Sequence, residues 1–286
     1  MSVVPFRAAC VTLCSGRDAD LNIQAASDYV RDSARDGASF ICTPENTLLM
    51  DSGGSHLFAA VKPEDDTSAV RDLAALAGDL GIWLSVGSLA IKVSEDKVAN
   101  RSFLMGPDGR IHARYDKIHM FDVSLPNGES YLESRNYQPG SEAVLAETGF
   151  GKVGLTVCYD LRFPDLYRTL AQAGAEYLTV PSAFTQVTGE AHWHVLLRAR
   201  AIETGAFVFA AAQSGTHENG RSTYGHSLII DPWGEVLADG GVETGFVCAD
   251  IDPAKVEEAR SRIPSLQHDR DFTLRQASQS APLSAQ

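Results

Sequence analysis

Short apolar, β-prone segments alternate with segments of helical periodicity along this chain, and this alternation limits most strongly the folds that it can adopt. Residues 3–13 are apolar and β-prone, residues 18–35 carry apolar side chains at helical spacing until Gly37 ends the pattern, and residues 38–42 read as a short buried strand. Strands that alternate in this way with helices predict an α/β layered fold.

The remaining elements follow from the same periodicities. Pro107-Asp108-Gly109 is a strong turn signal, so the apolar segments beside it, 98–105 and 110–115, are expected to form a hairpin. Residues 51–66 and 120–141 are expected to be loops because they are rich in turn-forming residues. Further strands are predicted at 82–89, 176–180, 207–212, 222–230, 235–237 and 246–251, and further helices at 67–80, 163–173, 192–203 and 253–262.

No linker or internal repeat interrupts the pattern, so we expect a single domain over residues 1–275 with a flexible tail at 276–286. The 24 basic and 37 acidic residues give a formal charge of −13, which argues against nucleic acid or an anionic membrane as a partner. The sequence lacks the pattern of a signal peptide and any apolar run long enough to span a membrane. The five cysteines are read as reduced thiols, and a cytoplasmic location is expected.

Familiar cofactor and metal motifs do not fit their required contexts. The sequence at 149–154 matches G-x-G-x-x-G, but it precedes a predicted strand, whereas a dinucleotide-binding loop follows one. Cys10 and Cys14 lack a second ligand pair, and His192 and His194 lack an obvious third ligand. We therefore expect neither a cofactor nor a metal.

Three chemically useful side chains follow predicted strands. Glu45 follows the strand at 38–42, Lys117 follows the second strand of the hairpin, and Cys158 follows the apolar run at 153–157. A carboxylate can act as general base for a thiol nucleophile, and an ammonium can stabilise the oxyanion formed when the thiolate attacks an amide. On spacing alone, an inert core thiol, a helix-capping glutamate and a solvated lysine remain open as alternatives.

Three segments that contain these residues resemble the signature segments of the nitrilase, or carbon–nitrogen hydrolase, superfamily. They are Thr43-Pro44-Glu45, then Tyr115-Asp116-Lys117-Ile118-His119 with Phe121-Asp122, and then Val157-Cys158-Tyr159-Asp160-Leu161-Arg162-Phe163-Pro164. The resemblance implies a four-layer α-β-β-α sandwich, a Glu45–Lys117–Cys158 triad that works through a thioester intermediate, and homodimers or larger homo-oligomers. It also implies that the backbone N–H of Tyr159 completes the oxyanion hole.

The resemblance extends to a fourth polar residue. Tyr131-Leu132-Glu133-Ser134 is similar to a segment in which many relatives carry a second glutamate close to the lysine, which makes Glu133 a supporting catalytic residue. Glu129 is a weaker match. For either residue, a solvated loop carboxylate is the structural alternative.

Within the superfamily, residues 181–203 and 210–234 look like the amidase branch, and they resemble deaminated glutathione amidases more than ω-amidases. The resemblance implies a small, anionic amide as substrate. Nitrile hydrolysis and a non-catalytic assembly module of the same fold stay open as alternatives.

Five further residues are candidates for substrate binding, two arginines of which one is the alternative to the other and three residues of the pocket wall. We expect Arg162, or else Arg135, to bind a substrate carboxylate, although Arg162 can equally pair with Asp160. Phe184, Trp193 and His192 are candidates for the pocket wall, with core packing as the alternative for the two aromatic residues. The Cys158 thiol is expected to have a lowered pKa or to share its proton with Glu45.

Overall fold

The computed structural model describes residues 4–51 and 54–276, and two six-stranded sheets form its centre. The strands are β1 (Phe6–Thr12), β2 (Phe40–Cys42), β3 (Trp83–Lys92), β4 (Val98–Met105), β5 (Ile111–Asp116), β6 (Asp122–Ser124), β7 (Ser130–Leu132), β8 (Val144–Thr148), β9 (Gly151–Leu155), β10 (Tyr177–Thr179), β11 (Phe207–Ala210), β12 (Ser214–Thr216), β13 (Ser222–Tyr224), β14 (Leu228–Ile230), β15 (Val236–Asp239) and β16 (Gly245–Ile251). The α-helices are α1 (Ala19–Arg35), α2 (Ser55–Ala60), α3 (Ser68–Leu80), α4 (Pro164–Gln172), α5 (Gln186–Thr204) and α6 (Ala254–Arg262).

The two sheets have the same topology. The first has the order β16-β1-β2-β3-β4-β5 and the second the order β8-β9-β10-β11-β14-β15. In each sheet three neighbouring parallel strands are flanked by one antiparallel strand on one side and two on the other. The two sheets therefore share one arrangement of strand directions, although the first takes its edge strand β16 from the other end of the chain and the sequence shows no repeat.

Alternating side chains of the central strands divide the core into layers. On β1, Ala8 and Cys10 belong to the cluster between the two sheets, whereas Ala9 and Val11 pack in a second cluster with the buried faces of α1 and α3. The buried side chains of α4 and α5, including Leu170 and Leu197, pack with the second sheet. The molecule is thus a four-layer α-β-β-α sandwich, as the resemblance implied.

Most predicted elements are present, but three segments differ from expectation. The expected loop at 51–66 contains α2 and a 3₁₀ turn (Glu64–Asp66), and the expected loop at 120–141 contains the β6–β7 hairpin and a 3₁₀ turn (Glu133–Arg135). The expected strand at 222–230 is two strands, because Gly225 (φ 75°) and His226 (φ 56°) adopt left-handed backbone conformations that end β13.

Helix α5 also begins earlier than predicted. The Thr185 side chain accepts a hydrogen bond from the N–H of Thr188 and so caps the helix before Gln186. Gly189 weakened the helical pattern in the sequence, and the structure explains its presence, since a Cβ there would overlap the Tyr224 side chain. The predicted flexible tail lies, from residue 277 onward, outside the described residues.

Residues 4–51 and 54–276 contain the six α-helices α1–α6. None is both long enough and apolar enough to cross a bilayer.

Gly87 on β3 brings two loops of the sheet ends together, and replacing it by alanine is expected to destabilise the fold. A Cβ at this position would overlap the carbonyl oxygens of Thr43 and Pro44 and the side chain of Pro181. Overpacking of this kind costs about 1–3 kcal/mol or more, so the free energy of unfolding measured by chemical denaturation should fall by that amount. Gly149→Ala is the matched control, because its Cβ would meet Trp83 Nε1 at 3.9 Å. Equal stability of the two variants would contradict the prediction.

Candidate active site

The side chains of Glu45, Lys117 and Cys158 meet at one end of the sandwich. Glu45 lies in the loop after β2, Lys117 directly follows β5, and Cys158 opens a 3₁₀ turn (Cys158–Arg162) after β9. All three are nearly inaccessible, with exposed fractions of 3%, 2% and 5%, and all three line one cavity of about 210 Å³. The structure thus brings together the three residues that the strand-end pattern selected.

Glu133 completes an ionic network with Lys117. The Lys117 ammonium donates to Glu45 Oε1 at 2.9 Å and to Glu133 Oε2 and Oε1 at 2.8 and 3.0 Å. Glu133 Oε2 also accepts the backbone N–H of Phe121 at 2.6 Å. Glu133 is therefore a partly buried partner of the lysine in this structure, and the alternative of a solvated loop carboxylate does not hold.

The carboxylate of Glu45 is fixed by further donors. Its Oε1 accepts from Asn100 Nδ2 at 2.9 Å, and its Oε2 accepts the backbone N–H of Ala183 at 2.9 Å. Asn100 also donates to Glu133 Oε1 at 3.2 Å, so it connects the two carboxylates. The sequence did not single out Asn100 as part of the site.

The charge states follow from burial and from these contacts. Burial would raise the pKa of Glu45, but Lys117 more than offsets this and the pKa lies below its usual range. Burial would lower the pKa of Lys117, but Glu133 and Glu45 hold it well above its ordinary value. The resting pair is therefore an ionised carboxylate and an ammonium.

The pKa of the Cys158 thiol is raised, whereas one of the two predicted states was a thiol with a lowered pKa. Burial raises its pKa, and the negative charge of Glu45 raises it further, against the opposing charge of Lys117. The expected lowered pKa is thus wrong, because the thiol is desolvated and faces a carboxylate. A protonated thiol needs a base when it reacts, and Glu45, which lines the same cavity, is the candidate for that base.

Cys158 has a left-handed backbone conformation with φ of 50°, which is costly for a residue with a side chain. Its N–H donates to the Pro181 carbonyl at 2.9 Å, and the N–H of Val157 donates to Asp160 Oδ2 at 2.9 Å. These bonds hold the sharp turn that carries the thiol to the cavity.

Asp160 ties this turn to the segment that carries Lys117. The fully buried Asp160 carboxylate accepts the Tyr115 hydroxyl at 2.7 Å and the His119 backbone N–H at 3.0 Å, and it lies 2.7 Å from His119 Nδ1. Asp160 is therefore paired with the Lys117 segment, and the alternative pairing with Arg162 is not formed.

The predicted substrate-binding residues separate into two groups. Phe184 lines the cavity, as does Tyr159, whose backbone N–H is the predicted oxyanion donor. Arg162, His192 and Trp193 are not among the residues that line it. The 3₁₀ turn directs the Arg162 guanidinium to His192 Nδ1 at 3.3 Å, and Trp193 is buried with its Nε1 donating to the His226 carbonyl at 2.8 Å.

Arg221 lines the cavity although the sequence analysis did not select it. It lies between β12 and β13, a short pair of strands that follows β11 in the chain. A signal was available, since a basic residue in a loop after a core strand is a candidate ligand contact. Arg135, the second arginine that was considered, does not line the cavity.

One side-chain cluster outside the cavity has the composition of a metal site. His194 Nε2 lies 3.1 Å from Asp239 Oδ2, and His226 Nδ1 lies 2.8 Å from Asp239 Oδ1. The expectation that His194 lacks a third potential ligand is therefore wrong, because the fold brings in His226 and Asp239 from distant positions. Both imidazoles already hydrogen-bond to the carboxylate, which accounts for the cluster in structural terms.

Comparison with known proteins agrees with this arrangement. Residues 7–261 match the family described as carbon-nitrogen hydrolase. The chain is 39% identical over 265 residues to a protein of Yersinia enterocolitica named deaminated glutathione amidase, with 92% of each chain covered.

Two solved structures extend the comparison. The C. elegans NitFhit protein has a TM-score of 0.87 and 34% identity, and the match covers 94% of this chain but 66% of that longer one. A mutant of the amidase from Nesterenkonia sp. AN1 has a TM-score of 0.76 and 26% identity, with 91% and 98% of the two chains covered. That structure shows the result of Michael addition of acrylamide at its active-site cysteine.

Proposed function

This chain belongs to the carbon–nitrogen hydrolase family and is a hydrolase of amide carbon–nitrogen bonds, and we propose that Glu45, Lys117 and Cys158 carry out the cleavage. The observation that supports these roles is the placement of all three buried side chains on one cavity, with Lys117 and Glu45 in direct contact at 2.9 Å. A non-catalytic assembly module would have no physical need to bury this set of groups together.

In the first half-reaction, Cys158 Sγ attacks the amide carbonyl carbon while its proton passes to Glu45. The developing oxyanion accepts hydrogen bonds from the Lys117 ammonium and from the backbone N–H of Tyr159. When the tetrahedral intermediate collapses, Glu45 returns the proton to the departing nitrogen and the carbon–nitrogen bond breaks. The acyl group then remains on Cys158 as a thioester.

In the second half-reaction, Glu45 takes a proton from water, and the resulting hydroxide attacks the thioester carbonyl. The same two donors stabilise the second oxyanion, which expels the Cys158 thiolate. Glu45 returns its proton to the thiolate and the acid product leaves. Glu133 keeps Lys117 protonated and oriented during both steps, since its two oxygens lie 2.8 and 3.0 Å from the ammonium.

For the substrate, we propose deaminated glutathione or a closely similar anionic amide. The support is the 39% identity, over nearly the full length of both chains, to the Yersinia enterocolitica protein named for that substrate. Neither an ω-amidase activity on 2-oxo acid amides nor nitrile hydrolysis has a comparable observation in its favour.

The substrate proposal predicts a measurable preference. We expect kcat/KM for deaminated glutathione to exceed that for 2-oxoglutaramate by at least about 10-fold, a difference that about 1.4 kcal/mol of additional transition-state binding would produce. Product acids and amines are quantified by mass spectrometry, and a simple nitrile serves as a third substrate. A higher kcat/KM for 2-oxoglutaramate would replace the substrate assignment without affecting the proposed triad.

We also propose a cytoplasmic location and self-association into a homodimer or larger homo-oligomer. All five cysteines are free thiols, which supports a reducing compartment. Helix α5 presents exposed apolar side chains at Val187, Val195 and Ile202, and such a surface supports contact with a second copy.

A further inference from the structure

The charged groups of the cavity are unequally partnered. Lys117 is neutralised by Glu45 and Glu133, which lie 2.9 and 2.8 Å from its ammonium. The third acidic residue of the lining, Asp51, pairs with Arg17 at 3.4 Å and lies 2.7 Å from His56 Nδ1, outside that network. Besides Lys117, the lining contains a second cation.

That cation is Arg221. Within residues 4–51 and 54–276, no carboxylate lies within salt-bridge distance of its guanidinium, and its Nε is buried without a hydrogen-bond acceptor. Leaving a buried donor of a charged group without an acceptor is destabilising. An anion bound at Arg221 would remove that destabilisation.

The surroundings of Arg221 hold its guanidinium in place. One Nη2 hydrogen bond goes to the carbonyl oxygen of Ala183, and the guanidinium lies over the ring of Tyr131 at 5.1 Å and that of Phe121 at 6.0 Å. Contacts with ring faces and with one carbonyl fix the plane of the group but do not use all of its five N–H donors. A planar, oriented guanidinium with free donors matches the geometry of a carboxylate.

We propose that Arg221 is the residue that binds a carboxylate of the substrate, and that the enzyme thereby selects amides carrying a carboxylate over neutral amides of the same size. This inference rests on the proposed amidase function and adds a specificity-determining residue to it. Arg221 supplies local positive charge to a protein of net charge −13, which would otherwise repel such a substrate. It takes the role that the sequence assigned to Arg162, whose guanidinium is turned to His192 instead.

The test compares two substrates of similar size, succinamate, which carries a carboxylate, and butyramide, which is neutral. In the Arg221→Met variant we expect the ratio of kcat/KM for succinamate to that for butyramide to fall about 10- to 100-fold, mainly through a higher KM for succinamate. This range corresponds to the loss of a hydrogen-bonded charge pair. Arg221→Lys keeps the charge without the fork of donors, so it should retain part of the selectivity.

Arg162→Met is the matched control, and its substrate ratio should equal that of the wild type. The proposal is overturned if Arg221→Met loses activity equally on both substrates and its KM for succinamate is unchanged. That result would show that Arg221 acts only on Glu45 and on the loop that contains Ala183. Binding of succinamate to Cys158→Ala, with and without Arg221→Met, is measured by calorimetry and does not depend on turnover. Equal affinity of those two proteins for succinamate would also overturn the proposed role of Arg221. If the wild type binds succinamate tightly but hydrolyses neither amide, only the proposed amidase function is refuted.

Discussion

Replacing Cys158 by alanine is expected to lower amide hydrolysis by about 10⁴-fold or more, because no acyl-enzyme can form without the thiol. The fold should not change, since Cys158 contributes a small side chain at a backbone conformation that is set by Asp160 and by the Pro181 carbonyl. Substrate binding should survive for the same reason. The loss is therefore expected in kcat and not in affinity.

The measurement is the release of acid and amine, combined with intact-protein mass spectrometry during turnover. Wild type should show a mass increase equal to the acyl group, and Cys158→Ala should show none. Cys248→Ser is the matched control, because Cys248 lies on β16 outside the cavity lining, and it should react at the wild-type rate. Retained hydrolysis in Cys158→Ala would rule out thioester chemistry at this position.

The sequence located Glu45, Lys117 and Cys158 because each follows a strand, and strand ends on one side of a sheet are brought together by the fold. Glu133 was reached through a family resemblance and not through spacing, since its 3₁₀ turn lies in a segment that reads as a loop. Asn100 was missed for the opposite reason. It lies inside β4, where strand periodicity predicts a packing role, and its Nδ2 contacts with both glutamates depend on sheet pairing.

Arg162 shows why proximity in sequence is a poor guide to proximity in space. It is close to Cys158 along the chain, but its guanidinium lies behind the cavity wall, over the rings of Tyr159 and Phe184 and against His192 Nδ1, and Arg162 does not line the cavity. Arg221 is distant in sequence and reaches the cavity through the β12–β13 hairpin. The backbone path of each loop determines which of the two arginines lines the cavity.

The thiol pKa could not be derived from composition either, since its direction depends on a balance of burial and charge. A lysine near a cysteine lowers the thiol pKa, but burial and the negative charge of Glu45 raise it, and here these effects outweigh Lys117. The two carboxylates that partner Lys117 in the structure also reduce its effect on the thiol. The shift was therefore determined by contacts that only the fold reveals.

Replacing Glu45 by glutamine is expected to change the reactivity of the thiol and the rate of hydrolysis in opposite directions. Hydrolysis should fall about 10²- to 10⁴-fold, because the variant lacks the general base that removes the thiol proton and activates water. The pKa of Cys158 should fall at the same time, because the carboxylate charge that raises it is gone while Lys117 remains.

The pH dependence of alkylation by iodoacetamide, followed by peptide mass spectrometry at Cys158, measures the second effect. Since only the thiolate reacts, the midpoint of the alkylation profile should move to lower pH in Glu45→Gln, and at neutral pH the variant should be alkylated faster than wild type although it hydrolyses amide more slowly. Glu147→Gln, an exposed carboxylate on β8, should change neither property. A wild-type midpoint below neutral pH would mean that the thiol is already ionised at rest, and Glu45 would then be required for activation of water but not for that of the nucleophile.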